Sequence, residues 1–244
     1  EIYQCDWSSD VCSSDLPHIH VDFHEQGINS PYYFAPAAEP YHEYITDWQR
    51  ELQTMIGKNH AKYFDKNNWL YFTKEVFDLL YPSYGDTYPT YNGAIGMTYE
   101  QAGHSRGGLA IETEDGDTLS LLDRITHHYT TGLSTVEVAS QNVNRIVDEF
   151  VKFFSEGKNN PKGEYNTYII SKSNHIDKLN DLQSWLDKNG IQYGTASASR
   201  SYKGFNYKTG ETGSVKINVG DLVISANQSK SVLVQVLFEP QTTL

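Results

Sequence analysis

The sequence has almost no cysteine. Its 244 residues include two, Cys5 and Cys12, and residues 17–244 contain none. That segment therefore has no disulfide framework, no thiolate zinc site and no cysteine nucleophile. Long apolar runs are missing as well, because no stretch approaches the roughly 20 residues that a membrane-spanning helix needs. We expect neither a membrane span nor a disulfide-stabilised fold.

Positive charge is in the minority. The chain has 19 Lys and Arg residues against 31 Asp and Glu residues, a net charge of −12 at pH 7. Residues 17–244 alone carry −8, since four acidic residues precede them and no basic residue does. A chain of this charge is repelled by a phosphate backbone. We therefore expect no nucleic-acid partner; the sequence does not predict the oligomeric state.

We interpret the first residues of the chain as translated sequencing adapter and not as part of the protein. The run Asp6 to Leu16 is one translated reading frame of a common short-read sequencing adapter, and fusion scars must be set aside before the fold is considered. We expect residues 1–16 to be an artefact. The apolar run 232–238 ends six residues before the chain stops, which favours a truncated C-terminus too. The biological part is therefore expected to be a fragment.

Local patterns predict the elements of the first part of the chain. Residues 18–25 alternate between apolar and polar side chains, which predicts a strand. Residues 45–56 have apolar side chains at helical spacing, with Gly57 as the predicted stop. The remaining predictions are a Tyr-, Gly- and Pro-rich loop at 81–93, a buried strand at 95–100, a helix at 119–129, and a helix that Ser134 and Glu137 open as a capping box and that runs to Phe154.

Two domains follow from this pattern. Residues 17–156 are predicted to form one domain, residues 157–164 a polar linker, and residues 165–244 part of a small second α/β domain of unknown function. The second domain should begin with a strand, a helix and a strand. The predicted bounds are 165–170, 177–187 with Leu179, Leu182, Trp185 and Leu186 facing inward, and 191–193 after Gly190.

Two residues are candidates for chemistry. His24 stands where the first strand gives way to a loop, and Glu100 closes the buried strand before Gln101-Ala102-Gly103. Ligands of α/β proteins bind at the carboxyl ends of such strands. Peptide hydrolysis by zinc needs three protein ligands and a separate carboxylate that transfers protons. Each residue alone is equally compatible with a surface histidine or a structural glutamate.

The order of four motifs resembles the zinc carboxypeptidases, the carboxypeptidase A-like metallopeptidases, and most closely a bacterial branch of that family. The motifs are Asp-Phe-His-Glu-Gln-Gly at 22–27, Tyr-Tyr-Phe-Ala-Pro at 32–36, residues 77–86, and Met-Thr-Tyr-Glu-Gln-Ala-Gly at 97–103. The resemblance covers roughly residues 17–154. It implies an α/β fold, a three-layer α/β/α arrangement around a mixed sheet, with its N-terminal part missing.

The resemblance also implies roles for individual residues. His24 matches the third zinc ligand, and Glu100 matches the glutamate that acts as general base and then general acid. Tyr81 fits the spacing of the mobile substrate-binding tyrosine best, with Tyr84 as the alternative. The implied reaction is zinc-dependent hydrolysis of C-terminal peptide bonds, with a peptide substrate and a secreted or periplasmic location. Arg106 could meet a substrate carboxylate or could be a solvated surface residue.

The chain departs from the family where the first two zinc ligands should be. These come as His-x-x-Glu, and no such motif occurs in the sequence. The arginines and the asparagine that hold the terminal carboxylate and the oxyanion in the family would also lie upstream. We therefore expect the fragment to be inactive and to bind zinc no better than scattered surface histidines do.

Two other interpretations stay open. His18 and His20 form a His-x-His on a strand, as at the start of amidohydrolase metal sites. The second is a non-catalytic peptide- or carbohydrate-binding module on the same fold, in which the tyrosine-rich segment 81–91 supplies contact area.

Overall fold

The computed structural model describes residues 16–103, 108 and 110–243. These form two compact units, Leu16–Phe150 and Val151–Thr243. Both units combine helices and strands, which confirms the α/β class, while the three-layer arrangement stays a prediction. Of the expected artefact, only Leu16 lies within the described residues. No helix in the described ranges is long and apolar enough to cross a membrane, as expected.

The first unit is built on a mixed four-stranded sheet. Its elements are β1 (Ile19–Gln26), β2 (Tyr32–Tyr33), β3 (Ala38–Tyr41), α1 (Asp47–Asn67), β4 (Tyr71–Phe72), β5 (Asp78–Leu79), α2 (Thr87–Tyr91), β6 (Ile95–Ala102), β7 (Ala110–Glu112), β8 (Thr118–Ser120), α3 (Leu121–Gln141) and the start of α4 (Val143–Asn159). The sheet order is β1-β6-β2-β4, with β6 parallel to β1 and antiparallel to β2. Two small sheets pair β3 with β5 and β7 with β8. The predicted strands at 18–25 and 95–100 are confirmed as β1 and β6.

The core of this unit lies between the sheet and the helices α1 and α3. Leu52, Ile56 and Phe64 of α1 are fully buried, as is Tyr99 of β6. The Tyr99 hydroxyl bonds Thr135 of α3 at 2.7 Å, so the odd-numbered residues of β6 face the helices. Even-numbered residues of β6 therefore face the opposite side of the sheet. That side carries the candidate site.

Helix α1 is longer than the sequence predicts. It begins after a capping box of Thr46 and Gln49 and ends at Asn67, so Gly57 lies inside it and is not a stop. A Cβ at Gly57 would lie 2.1 Å from the carbonyl oxygen of Ala35. The glycine allows the helix to approach the backbone next to β2. Local sequence patterns do not predict this contact, because its partners are distant in the chain.

The predicted capping box of Ser134 and Glu137 is wrong. Both residues lie in the middle of α3, whose capping box is Ser120 with Asp123. Ser134 is buried and its hydroxyl contacts Asn59 and His60 of α1, each at 2.8 Å. The pattern therefore marks a polar contact between two helices and not the start of a helix. The next helix begins at Val143.

The segment 81–93 is also more ordered than a loop. Residues Thr87–Tyr91 form the short helix α2, and all five are buried. The hydroxyl of Tyr91 donates to the carbonyl oxygen of Leu80 at 2.9 Å. The predicted loop is therefore wrong for residues 87–91, because aromatic and threonine side chains here find buried hydrogen-bond partners.

The second unit has a smaller antiparallel sheet. Its elements after α4 are β9 (Thr167–Ile170), α5 (Ile176–Lys188), β10 (Tyr193–Thr195), β11 (Arg200–Asn206), β12 (Glu211–Ile217), β13 (Leu222–Ser225) and α6 (Ser231–Phe238). The sheet order is β10-β13-β9, and β11 pairs with β12 as a separate ribbon. The strand predicted at 191–193 begins at Tyr193 instead. Leu186 is buried as predicted, but Trp185 is 38 % exposed. Residues 157–159 of the predicted linker are helical.

Candidate functional site

The two candidate residues lie side by side at one edge of the sheet. β1 and β6 run parallel with His24 directly opposite Glu100 in the register. Nδ1 of His24 lies 3.0 Å from one carboxylate oxygen of Glu100 and 3.1 Å from the other. Both strands end two residues later, so the pair stands at their carboxyl ends, where α/β proteins bind ligands.

Local sequence explains why each side chain points to this side of the sheet. The alternation of β1 directs His20, Asp22 and His24 to one face, and the pairing with β6 sets Thr98 beside Asp22 and Glu100 beside His24. His24 keeps 42 % of its side-chain surface exposed, while Glu100 keeps only 5 %. One member of the pair is therefore accessible from solvent and the other is held in the protein.

Burial dominates the electrostatics of Glu100. Removal from water raises the pKa of its carboxyl group, the charge and the hydrogen bond of His24 lower it, and the carboxylates of Asp22 and Asp86 raise it again. The net shift is upward. A raised carboxyl pKa brings the group closer to the range in which it can both take and return a proton near neutral pH.

Two further carboxylates belong to this face, and sequence reasoning missed both. Asp86 is buried and accepts hydrogen bonds from Thr98 at 2.9 Å and Thr87 at 3.0 Å, while burial raises the pKa of its carboxyl group. Asp22 lies close to the loop that precedes α2, since a Cβ at Gly85 would be 2.3 Å from its Oδ2. The alternation of β1 could have revealed Asp22, but no local signal identifies Asp86.

Nδ1 of His24 and the carboxyl group of Glu100 share a hydrogen bond. An ionised carboxylate accepts it from Nδ1–H, whereas a protonated carboxyl group donates it to Nδ1. The arrangement can hold the carboxylate in one orientation and can exchange a proton between the two groups. One member of the pair, His24, is open to solvent.

A zinc ion does not fit the residues present. Zinc binds an imidazole nitrogen at about 2.0–2.1 Å and needs at least three protein ligands. Nδ1 of His24 instead contacts both oxygens of Glu100, so the two groups are hydrogen-bonded to each other. Among the described residues, no group of three or more His, Cys, Asp or Glu side chains could hold a metal ion.

The two candidate substrate-binding tyrosines are exposed. Tyr81 and Tyr84 are each 57 % exposed, and their rings pack edge to face with centroids 5.2 Å apart. Tyr84 directly precedes Gly85 and Asp86, which lie close to Asp22 and Thr98 of the sheet. No described contact joins either tyrosine to His24 or Glu100. Arg106 lies outside the described residues.

The two histidines of the alternative metal site precede His24 in the chain, by six and four residues. The ring of His18 packs against Phe150 with centroids 4.1 Å apart. His20 follows on β1 on the same face as Asp22, and burial lowers the pKa of its imidazole. His18 therefore packs against an aromatic ring, and His20 is partly buried.

Comparisons with family models, with curated proteins and with solved structures returned no match to this chain. Its function must therefore be argued from the geometry of the site.

Proposed function

We propose that this chain carries part of a hydrolytic site of the zinc carboxypeptidase type. The resemblance makes His24 one imidazole ligand of the complete site, which the residues present do not form by themselves, and Glu100 the carboxylate that transfers protons. The observation that supports this most is the pairing of His24 with Glu100 at 3.0 Å across two parallel strand ends. A peptide substrate, cleaved at its C-terminal bond, rests on the resemblance of the four motifs.

The proposed chemistry of the chain's own residues is proton transfer. Glu100 takes a proton from the attacking water and returns it to the leaving amine, which contributes about 10²- to 10⁴-fold in rate in such sites. Burial supports this role because it raises the pKa of the carboxyl group. His24 holds the carboxylate towards the solvent-exposed side. Tyr81 and Tyr84 are proposed to contact the substrate.

The site is incomplete in this chain. Within the described ranges, one imidazole, that of His24, contacts Glu100, and the sequence contains no His-x-x-Glu. We therefore propose that catalysis requires residues that this chain does not contain, and that the chain alone hydrolyses no peptide. Zinc titration of the full chain, followed by equilibrium dialysis, checks this. One stoichiometric, tight zinc site would contradict the proposal that the site is incomplete.

A second experiment tests the family assignment itself. Sequencing the coding region upstream of residue 17 should reveal a His-x-x-Glu motif. In a protein that contains both parts, Glu100→Gln should lower kcat by about 10²- to 10⁴-fold with little change in KM. His18→Ala is the matched control and should leave kcat unchanged. Loss of activity in the His18 variant would favour the amidohydrolase alternative.

A non-catalytic binding module is a second candidate function. The observation that favours it is the exposed edge-to-face pair of Tyr81 and Tyr84. Such rings offer rigid, amphipathic contact area. Under this proposal the chain binds peptides or glycans without hydrolysing them, and Tyr84→Ala removes binding. If the variant and the parent chain bind a ligand array equally, this candidate is excluded.

A further inference from the structure

Gln26 is the last residue of β1, and its side chain lies on the same face of the sheet as that of His24, two residues earlier. Its amide nitrogen Nε2 lies 2.7 Å from the carbonyl oxygen of Pro31 and 3.2 Å from the carbonyl oxygen of Glu100. Carbonyl oxygens only accept, so the amide turns its nitrogen towards them and donates one N–H to each. Gln26 therefore bonds directly to the backbone of the residue whose carboxyl group contacts His24.

The backbone does not make this connection by itself. Pro31 directly precedes β2 and has no N–H group, so it cannot donate to β6 as an ordinary strand residue does. The ladder between β2 and β6 is described as one residue pair, Tyr33 with Glu100. The amide of Gln26 connects Pro31 with Glu100 beside that pair. It takes the place of backbone hydrogen bonds at the point where the strands end.

This connection matters because the site stands close to a strand end. β6 continues only to Ala102, two residues after Glu100, and strand ends open more easily than strand interiors. A hydrogen bond to the carbonyl oxygen of Glu100 holds the peptide group that follows its Cα. That peptide group helps to set the direction in which the side chain leaves the backbone, and the carboxyl group must reach Nδ1 of His24 at 3.0 Å.

From this geometry we infer that Gln26 is a positioning residue of the site, which holds the backbone of Glu100 so that its carboxyl group meets the imidazole of His24. Gln26 acts through Glu100 and not on a substrate. The inference deepens the proposed function and takes its catalytic meaning from it. Its geometric content concerns the pair alone and is measurable in this chain.

Nitrogen-15 NMR of the full chain, labelled in histidine and observed at pH 7, tests the inference through the ring nitrogens of His24. His24→Gln identifies the two resonances, and Glu100→Ala gives their positions when the pair is broken. Gln26→Met keeps the length of the side chain but has no N–H donor. It should move the His24 resonances towards their positions in the Glu100→Ala variant. Resonances that stay at their parent positions would overturn the inference.

Gln101→Met is the matched control. Gln101 directly follows Glu100, but its side chain lies on the other face of β6, where it contacts Nδ1 of His127 at 2.7 Å. The substitution removes a glutamine amide beside Glu100 and leaves the bonds of Gln26 in place, so the His24 resonances should stay near their parent positions. An equal shift in both Met variants would show that any loosening of β6 disturbs the pair, and the inference would fail.

Hydrogen exchange in the parent chain gives a result that does not depend on the folding of any variant. The side-chain amide protons of Gln26 should exchange with water at least about tenfold more slowly than those of Gln141, an exposed residue at the end of α3. Equal rates would show that the bonds to Pro31 and Glu100 do not form and would contradict the positioning role.

The inference and the proposed function fail separately. The NMR and exchange measurements need neither zinc nor activity, so they decide the role of Gln26 whatever reaction the site performs. In a protein that contains the complete site, Gln26→Met should lower kcat with little change in KM. If Glu100→Gln lowers kcat there and Gln26→Met does not, the proposed function stands and the positioning role is overturned.

Discussion

At the scale of single residues, buried ionisable groups distinguish this protein. Glu100 and Asp86 are buried carboxyl groups with raised pKa values, and His60 is a buried imidazole with a lowered one. In each case burial is the main cause, because it disfavours the charged form. These groups make the stability of the folded chain depend on pH, and the sign differs between the acids and the histidine.

Glu100 should destabilise the chain as pH rises. Its folded pKa lies above the ordinary 4.5, so the folded chain binds the proton more tightly than the unfolded chain. The stability linked to this proton is present below pH 4.5 and is lost as pH rises through the raised pKa. Glu100→Gln, which is neutral, should therefore become increasingly more stable than the parent over this range.

Urea unfolding at several pH values measures that difference. Glu112→Gln on β7 is the matched control, since Glu112 is exposed. It removes one negative charge at an exposed position, so it measures the effect of net charge alone. A Glu100→Gln variant whose advantage is independent of pH would contradict the assignment of a raised pKa to Glu100.

His60 should have the opposite effect. Burial lowers the pKa of its imidazole from 6.5 to about 3, and its Nε2 has no hydrogen-bond partner among the described residues. The unfolded chain then binds a proton that the folded chain excludes, so stability is complete above pH 6.5 and falls as pH drops towards 3. His60→Phe should make the unfolding free energy fall less steeply with acid, as urea titrations between pH 7.5 and 4.5 can measure.

At the scale of elements, two glycines inside helices have different roles. A Cβ at Gly57 of α1 would overlap the Ala35 carbonyl oxygen, at 2.1 Å. A Cβ at Gly132 of α3 would meet only the Cζ of Phe23, at an ordinary 3.5 Å. Alanine is the better helix former, by about 1 kcal/mol relative to glycine. Packing therefore decides whether an alanine at each site stabilises or destabilises the chain.

The two alanine variants form a matched pair. Gly132→Ala should stabilise the chain by about 0.5–1 kcal/mol, because helix propensity improves without a clash. Gly57→Ala should destabilise it by about 1–3 kcal/mol or more, because α1 must move away from the backbone at Ala35. Thermal unfolding of both variants measures the two effects. Equal and stabilising effects would show that the close approach at Gly57 does not exist.

At the scale of the whole molecule, the acidic charge acts on the folded state. The net charge is −12, so the excess acidic side chains repel one another in the folded chain. Salt shortens the range of this repulsion from about 30 Å at 0.01 M to about 10 Å at 0.1 M. The distribution of charge, and not any single ion pair, should therefore control the response to ionic strength.

Thermal unfolding in increasing salt tests this expectation. At pH 7 the midpoint should rise between about 0.01 M and about 0.1 M salt, since screening relieves the net repulsion. Near pH 5.1, the isoelectric point calculated from the sequence, the same addition should have little effect. An equal rise at both pH values would mean that salt acts through something other than net charge.

Much of the α/β fold could be predicted locally. The alternation of residues 18–25 and the apolar run at 95–100 predicted β1 and β6, because a strand repeats every two residues whatever surrounds it. The polar ends of these strands also identified His24 and Glu100 as candidates. The sequence did not show that their side chains touch, since this depends on a parallel pairing across 76 positions of the chain.

What the sequence determined by itself is therefore the type of these strands, the acidic charge and the two candidate residues. Tertiary structure alone decided that Gly57 continues a helix, that Ser134 lies in the middle of one, and that Asp86 reaches the same face as Glu100. These three outcomes have the same physical reason. Each outcome depends on backbone or polar groups that are distant in sequence, and burial makes an unmatched polar group or a steric overlap too costly for local propensity to prevail.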